Sequence, residues 1–368
     1  MTMLTRRTFL YRAGSAGIGL LAGGCEIEDV ARLVDDLRAD ARIGILANVE
    51  LVSQADVQVL GNAFRFYRQV NVDAVVVIGK PADRQDILKS AWGVAFGPDS
   101  KVLLIQSPDR RAEVGGFAFR LADRRPTRPD DVLTFCGEGR FALTDDLMSY
   151  DAELNVVYAG SMSGFNVPDG YSRNGRPVEA CEFIGSAQGL LVSVYSSKVV
   201  IRRLDFTESA PPRGSLAPGQ AYAEDLAPEL TLPREGRMAK APSAPPEFWA
   251  DTVLRVIPGY SGTERVYTVQ WPAVQRRFTG MRAHSYEVSV HRLAPGATKP
   301  SRAVRRRNVL SECFYKAEVR DAKPVKCLFR REDLVTAAGA DTPVVISVTP
   351  LGAFGDRGKS VFSEPFRP

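Results

Sequence analysis

The sequence predicts an α/β domain followed by an all-β sandwich. Apolar runs at residues 42–49, 73–79 and 101–105 alternate with helical periods over 54–70 and 83–96. Continuous apolar strands separated by amphipathic helices are typical of a sheet that is covered on both faces. Closer to the C-terminus the chain changes to short strands and turns with no long helical period, a pattern that is typical of a β-sandwich.

The helix over 54–70 is predicted by a stripe of apolar residues. Val57, Leu60, Phe64 and Tyr67 are spaced three or four residues apart, so they share one face of a helix. Because the remaining positions are mostly polar, we expect the helix to pack on the sheet through this one face.

A β-hairpin is predicted near the end of the α/β domain. Residues 188–195 and 198–206 both have strand character, and two serines separate them, as in a tight hairpin turn. Every second residue of the first strand is apolar, whereas Leu191, Ser193 and Tyr195 form a mixed face. We therefore expect this mixed face to be half exposed.

A proline-rich segment separates the two domains. Residues 207–247 contain eight prolines and few long apolar runs, which predicts a linker or a strap that crosses the surface. The α/β domain is therefore placed at 41–206 and the β-sandwich at 248–368. The short strands and turns of the second domain favour a small fibronectin-like sandwich.

The N-terminal segment has the pattern of an export signal. Arg6 and Arg7 form a twin-arginine motif, and an uncharged run of small and apolar residues leads to Cys25. This pattern predicts a signal peptide over residues 1–24 and a lipoprotein-type cysteine whose acyl chains anchor the body to a membrane. The alternative is ordinary cleavage near Gly24, which would leave the cysteine unmodified.

The predicted location is the periplasm, with the body held at a membrane of the cell envelope. Glu26, which follows the anchoring cysteine, is not the aspartate associated with inner-membrane retention, so the outer membrane is favoured. Residues 25–40 are charged and carry one apolar stripe, which predicts a stalk or a first surface helix. The expected partners are membrane lipid, through acylated Cys25, and an unknown envelope ligand or protein.

The charge balance gives no support to nucleic-acid binding. The chain has 48 Lys and Arg against 43 Asp and Glu, for a net charge of +5. Residues 1–24 hold three arginines and no acid, so removal of the signal lowers the net charge to +2. A basic cluster of Arg302, Arg305, Arg306 and Arg307 is predicted to be a solvated loop, with contact to anionic lipid headgroups as the alternative.

Four cysteines remain after the anchoring position. In an oxidising compartment Cys136 could pair with Cys181, and Cys313 with Cys327. The sequence leaves all three connectivities of four cysteines open. None of the four has the spacing of metal ligands.

Short polar segments follow the predicted strands of the α/β domain. They are Asn48-Val49-Glu50, Gly79-Lys80, Gln106-Ser107-Pro108-Asp109 and Gly160-Ser161-Met162-Ser163. In this strand context, residues 42–206 resemble the calcineurin-like metallophosphoesterases, which place Asp-x-His, Gly-Asp, Gly-Asn-His and Gly-His-x-His at these ends. The resemblance implies a metallophosphoesterase-like αββα sandwich, followed here by an all-β fibronectin-like sandwich.

The departures from the family pattern remove its metal ligands. Where the family has its bridging aspartate, this chain has Lys80, and Ser161 and Ser163 stand where the family has two histidines. The only histidines, His284 and His291, lie in the C-terminal domain. Because two adjacent metal ions need several imidazoles and a bridging carboxylate, we expect no metal, no cofactor and no dimetal hydrolysis.

The residues that replace the ligands define a vestigial pocket. Its candidates are Asn48, Glu50, Lys80, Asp109, Ser161 and Ser163. Lys80 is expected to pair with Glu50 or Asp109 in place of the metals, or else to hold a phosphate or carboxylate as a point charge. The sequence therefore predicts a non-catalytic protein with a binding or scaffolding role. The alternative is a hydrolase of altered, non-dimetal chemistry that uses the same pocket.

Overall fold

The structure, a computed structural model, describes most of the chain. The described residues are 39–50, 53–79, 85–106, 110–114, 116–138, 141–168, 180–207, 220–238, 244–275, 281–294, 297, 300–317 and 323–368. Residues 1–38, with the export motif and Cys25, lie outside these ranges, as do Lys80 and Asp109. Within the described ranges, no helix is both long and apolar enough to span a bilayer.

The first part of the chain is mixed α/β and contains more strand than helix. Its strands are β1 (Ala41–Ala47), β2 (Ala74–Ile78), β3 (Leu103–Gln106), β4 (Arg110–Val114), β5 (Phe117–Ala122), β6 (Thr134–Cys136), β7 (Tyr150–Asp151), β8 (Val156–Tyr158), β9 (Phe165–Pro168), β10 (Ala180–Ile184), β11 (Gln188–Val194), β12 (Lys198–Asp205) and β13 (Glu224–Pro233). Its helices are α1 (Gln54–Gln69), α2 (Gln85–Phe96) and the single-turn α3 (Asp146–Ser149). The two long helices and the first three strands agree with the sequence pattern to within about two residues.

The first sheet combines a parallel half and an antiparallel half. Its strand order is β13-β12-β11-β1-β2-β3. β1, β2 and β3 are parallel, whereas β11, β12 and β13 pair antiparallel. The two parallel connections pass through α1 and α2, and both helices pack on the same face of the sheet. The predicted hairpin is confirmed as β11 and β12.

Helix α1 begins at a capping box and packs through the predicted stripe. The Ser53 hydroxyl accepts from the backbone N–H of Asp56, and the Asp56 carboxylate accepts in return from the backbone N–H of Ser53. Phe64 and Tyr67 are fully buried, and the Tyr67 hydroxyl donates to the carbonyl of Leu190 at 2.8 Å. The buried aromatic side chains and this hydrogen bond both hold α1 against the sheet.

The mixed face of β11 is buried, so the expectation of a half-exposed face was wrong. Leu191, Ser193 and Tyr195 are only 3%, 4% and 8% exposed. Leu191 shares a core cluster with Phe64 of α1, and Tyr195 packs with Ala39. Because these covering residues come from distant parts of the chain, the alternation within the strand could not reveal them.

A second sheet faces the first across a shared core. Its strand order is β4-β5-β6-β8-β7, in which β5, β6 and β8 are parallel. Phe119 and Phe135 of this sheet share one buried cluster with Ile45 and Val192 of the first. On its outer face lie α3, the β9–β10 hairpin and Phe314 of the C-terminal domain. The sequence predicted a second layer of helices on this face. Among the described residues, the face is covered instead by one short helix, a hairpin and part of the C-terminal domain.

Part of the proline-rich segment belongs to the first sheet. β13 lies within residues 207–247 and pairs with β12. Arg203 pairs with Ala227, and Pro228 lies in the register shift that follows, a position where a residue without an N–H is tolerated. The buried Arg203 guanidinium donates to the Pro228 carbonyl and to Asp146 of α3. The predicted linker therefore contains a strand that closes one edge of the α/β domain.

The C-terminal part is a sandwich of two antiparallel sheets. Its elements are β14 (Arg255–Ser261), β15 (Glu264–Trp271), β16 (Ser285–Arg292), β17 (Ala303–Leu310), β18 (Val325–Arg330), α4 (Arg331–Ala338), β19 (Val344–Leu351) and β20 (Val361–Phe362). One sheet has the order β14-β15-β18, and the other has the order β17-β16-β19-β20. Trp271 and Phe329 of the first sheet share a buried core with Val288 and Ile346 of the second.

The basic cluster lies mainly on a strand, so the prediction of a solvated loop was wrong. Arg305, Arg306 and Arg307 belong to β17, which is an edge strand. Asp333 of α4 pairs with Arg305 at 2.9 Å and with Arg307 at 3.2 Å. Charged side chains on an edge strand oppose pairing with another chain. These arginines therefore have a role in the fold that requires no lipid.

Candidate functional site

Parallel strands of both sheets end at a common edge, here called the convergent edge. β1 and β2 end at Ala47 and Ile78, and β6 and β8 end at Cys136 and Tyr158. A Cβ placed on Gly137 would lie only 2.9 Å from Cγ2 of Ile78, so the two sheets approach each other closely here. Ligands of α/β proteins bind outside the carboxyl ends of parallel strands, which makes this edge the candidate site.

Asn48 links the two sheets at the convergent edge. Its φ of 50° lies in the left-handed region, which Asn adopts more readily than most residues. Its side-chain amide donates to the carbonyl of Gly137 at 2.8 Å and to the carbonyl of Gly160 at 3.1 Å. One side chain at the end of β1 therefore holds the loops that follow β6 and β8.

Ser161 and Ser163 also serve backbone partners. The Ser163 hydroxyl accepts from the Glu50 N–H at 2.6 Å and donates to the Glu50 carbonyl at 3.1 Å. The buried Ser161 hydroxyl accepts from the N–H of Ser163 at 3.3 Å. The N–H of Met162 donates to the carbonyl of Ala47 at 3.0 Å. The loop after β8 is therefore bound directly to the loop after β1.

Acidic and basic side chains lie on the second-sheet side of the edge. The Arg125 backbone N–H donates to Glu138, which follows β6, and the Arg125 guanidinium reaches away from the edge to Asp151, beside the start of β8. Asp123, which follows β5, has a carboxylate oxygen 3.6 Å from the position of a Cβ on Gly79. The sequence prediction missed this group because β5 was not recognised. The alternation of apolar residues within β5 is the signal that would have placed Asp123 at a strand end.

The structure brings four of the predicted pocket residues together at the convergent edge: Asn48, Glu50, Ser161 and Ser163. Lys80 and Asp109 lie outside the described residues, so the ion pairs expected of Lys80 stay predictions. The carbonyls of Gly137 and Gly160, which receive the Asn48 amide, were not predicted because sequence patterns report side chains and not backbone acceptors.

The described residues of this edge do not fit a centre of two metal ions. Such a centre needs imidazole and bridging carboxylate ligands. In the part of the chain that the structure describes, no three His, Cys, Asp or Glu side chains are placed to hold a metal ion. The Asn48 amide nitrogen and both serine hydroxyls are instead directed to backbone atoms.

Both histidines have other partners in the C-terminal sandwich. The His284 ring is buried, and its Nε2 lies 3.3 Å from the Tyr315 hydroxyl. The His291 ring lies between the Ser301 carbonyl and the Ser347 hydroxyl, at 2.8 Å from each. These contacts fix the rings within their own domain.

The described cysteines form no disulfide with one another. Among the described cysteines Cys136, Cys313 and Cys327 no disulfide is present, so Cys313–Cys327 is not bonded, whereas the side chain of Cys181 lies outside the described residues. Cys136 lies in the cluster on the outer face of the second sheet. Cys327 belongs to the sandwich core, where burial raises the pKa of its thiol. A buried thiol with a raised pKa is a poor nucleophile.

Comparison of the chain with protein-family models and with curated proteins finds no match. The function is therefore argued from the convergent edge itself, since a fold alone does not determine a function.

Proposed function

We propose that this chain is a non-catalytic binding protein built on a metallophosphoesterase-like αββα domain and a fibronectin-like sandwich. The observation that carries the proposal is the Asn48 amide, which donates to the carbonyls of Gly137 and Gly160. These contacts join segments that align with the family's Asp-x-His and Gly-His-x-His motifs. Protein hydrogen bonds therefore take over the structural role that shared metal ligands would have there.

The sheet orders support both fold assignments. Three parallel strands with two crossover helices face a second sheet across an apolar core, as expected for three of the four layers of an αββα sandwich. The C-terminal part has a three-stranded and a four-stranded antiparallel sheet, and seven strands in two sheets are usual for immunoglobulin-like and fibronectin-like sandwiches.

We further propose that the protein works at the cell envelope, in the periplasm and anchored to membrane lipid. The support lies in the sequence, where Arg6 and Arg7 precede an apolar run and Cys25. A lipid anchor keeps a binding domain close to a membrane surface, so its ligand or protein partner belongs to the envelope as well.

The alternative of a hydrolase with altered chemistry has less support. A general acid or base must reach the proton that it transfers. At the convergent edge, however, Glu138 accepts a hydrogen bond from the Arg125 backbone, and Ser163 is engaged with the Glu50 backbone. Binding therefore remains the proposal.

Metal content and phosphodiester hydrolysis, measured side by side on the purified chain, test this proposal. We expect no stoichiometric manganese, iron or zinc, and no turnover of a chromogenic phosphodiester when Mn²⁺ is added. Lys80→Asp restores the carboxylate of the family at that position and is the matched variant. We expect it to stay inactive, because the imidazole ligands are still missing.

Stoichiometric metal with turnover by the unaltered chain would contradict the proposal. Asp123 and Glu138 at the convergent edge would then be the first candidate ligands.

A further inference from the structure

A cleft of about 560 Å³ lies in the C-terminal sandwich, within the size range of small-ligand sites. Its walls come from the segment that leads into β14, from the end of β15 and from the turn that follows β15. The lining residues that matter to its chemistry are Glu247, Trp249, Asp251, Val253, Arg255 and Trp271. We call it the Trp249 cleft.

The Trp249 cleft presents apolar surface to solvent. Trp249 is 54% exposed and Val253 is 66% exposed, although large apolar side chains are mostly buried. The neighbouring Phe248 stacks on Tyr286 with ring centroids 6.0 Å apart, so this wall is attached to the sandwich core. A wall that is already in place loses little conformational freedom when an apolar group packs against it.

Trp271 has a buried polar atom without a partner. Its side chain is 1% exposed, and its indole N–H makes no hydrogen bond within the described residues. Buried donors are nearly always satisfied in native proteins, so an exception calls for a physical reason. A ligand in the cleft would meet the Trp271 ring, which lines it, and not the N–H itself, since that nitrogen is closed to solvent; the indole signal nevertheless reports on contacts made by the ring.

Charged groups of both signs line the same cleft. Glu247 and Asp251 contribute carboxylates, and Arg255 contributes a guanidinium. All three are exposed, and no ion pair joins them to one another or to other described residues. Two carboxylates are complementary to an ammonium group, whereas a guanidinium binds a carboxylate through two parallel hydrogen bonds. The charges therefore match a zwitterion with an apolar body.

We propose that the Trp249 cleft binds a short zwitterionic peptide with apolar side chains. Trp249 packs against an apolar side chain of the peptide. Arg255 holds the terminal carboxylate, and Glu247 and Asp251 hold the terminal ammonium group. This inference gives the proposed binding role a ligand class, but it rests on the cleft alone and does not depend on the chemistry of the convergent edge.

Indole resonances provide a direct test, because the chain has three tryptophans. The purified full chain, labelled with ¹⁵N, is titrated with leucyl-phenylalanyl-leucine. We expect the indole N–H signals of Trp249 and Trp271 to shift together, with a dissociation constant of about 1 mM or tighter. The signal of Trp92, which stacks on Phe96, is expected to stay in place. Single Trp→Phe variants assign the three signals.

Variants separate the charged contacts from the apolar ones. We expect Arg255→Ala, and the double change Glu247→Gln with Asp251→Asn, each to weaken binding at least about tenfold. The same peptide with an acetylated N-terminus and an amidated C-terminus carries no charge. We expect the unaltered chain to bind it at least about tenfold more weakly than the free peptide. Arg302→Ala and Tyr260→Ala are matched controls that remove exposed side chains of the same domain, and both should bind like the unaltered chain.

The proposal is overturned if the indole signals of Trp249 and Trp271 do not move at millimolar peptide. It is also overturned if the capped peptide binds as tightly as the free one, because the three charged groups would then have no part in recognition. Neither result depends on metal content or hydrolysis, so it leaves the test of the proposed function intact.

Discussion

Asn48 combines a left-handed backbone with a side-chain amide that has two carbonyl partners, and substitutions separate the two properties. Asn48→Gly keeps the backbone conformation but loses both hydrogen bonds. Asn48→Ala loses the bonds and adds backbone strain. Asn48→Asp turns a carboxylate oxygen toward the two carbonyls. We expect Asn48→Ala to lower the free energy of unfolding by about 1–3 kcal/mol, Asn48→Gly by less, and Asn48→Asp by the most at neutral pH.

Urea unfolding measures these differences, and Asn71→Gly is the matched control. Asn71 also has a positive φ, of 55°, but it is exposed, so we expect little change. A fully stable Asn48→Gly would show that the amide does not hold the two sheets together.

Glu287 provides a pH-dependent test. Arg357 donates to it at 2.7 and 3.3 Å, and this hydrogen bonding lowers the pKa of Glu287 below its ordinary value of 4.5. A carboxyl group whose pKa is lower in the folded state stabilises the fold above its unfolded pKa, and the contribution is lost as the pH falls through the folded pKa. We expect the stability difference between the unaltered chain and Glu287→Gln to be present at neutral pH and to vanish in acid. A difference that does not change with pH would contradict this assignment.

Helix packing can be tested at glycines in contrasting positions. A Cβ on Gly44 of β1 would lie 2.7 Å from the ring of Tyr67, whereas nothing lies within 4 Å of a Cβ on Gly93 of α2. We expect Gly44→Ala to destabilise the protein by about 1–3 kcal/mol and Gly93→Ala to stabilise it by about 0.5–1 kcal/mol. Thermal unfolding followed by circular dichroism checks both. A stable Gly44→Ala would mean that α1 does not pack on β1 through Tyr67.

Elements with a local sequence pattern could be predicted from the sequence. Features that depend on contacts with distant segments could not. The apolar stripe of α1 and the hairpin of β11 and β12 are local patterns, and both are confirmed. The burial of Ser193 and Tyr195 depends on other segments. β13 lies in a proline-rich stretch. It tolerates proline because it is an edge strand with a register shift, and single-residue preferences do not report this context.

The same distinction between local patterns and distant contacts applies to the candidate site. Asn48, Ser161 and Ser163 could be predicted from the resemblance to the metallophosphoesterases, which aligns them with ligand positions at strand ends. Their partners could not be predicted, since these partners are backbone carbonyls and N–H groups of loops whose conformation depends on the packing of the two sheets. The group around Arg125 was missed because β5, which precedes it, was not recognised.

The first part of the chain and the C-terminal sandwich share a core. Phe314 and Tyr315 of the C-terminal domain are fully buried and cluster with Phe165 of the first domain. The carbonyl of Tyr315 accepts from the Gln188 amide at 2.7 Å, and the carbonyl of Phe314 accepts from the Thr144 hydroxyl. Because these contacts cover the outer face of the second sheet, neither domain is expected to be fully stable alone.

This coupling has a calorimetric consequence. We expect the unaltered chain to unfold in one cooperative transition. Phe314→Ala should cost about 3–5 kcal/mol and should split the transition into two, because the domains would lose a fully buried shared side chain. Phe362→Ala, at a side chain that is 48% exposed, is the control and should keep one transition. A single unsplit transition in Phe314→Ala would show that the coupling lies elsewhere.

Hydrogen bonds from the Asn48 amide join the two sheets at the convergent edge, and we propose that no metal ion is needed to hold them there. The most direct test is the thermal unfolding midpoint of the purified chain in excess EDTA and in excess Mn²⁺. A metal that binds only the folded state stabilises it by about 2.7 kcal/mol at a concentration of 100 times its dissociation constant. We expect the same midpoint in both solutions. A midpoint several degrees higher in Mn²⁺ would contradict it and would identify the edge as a working metal site.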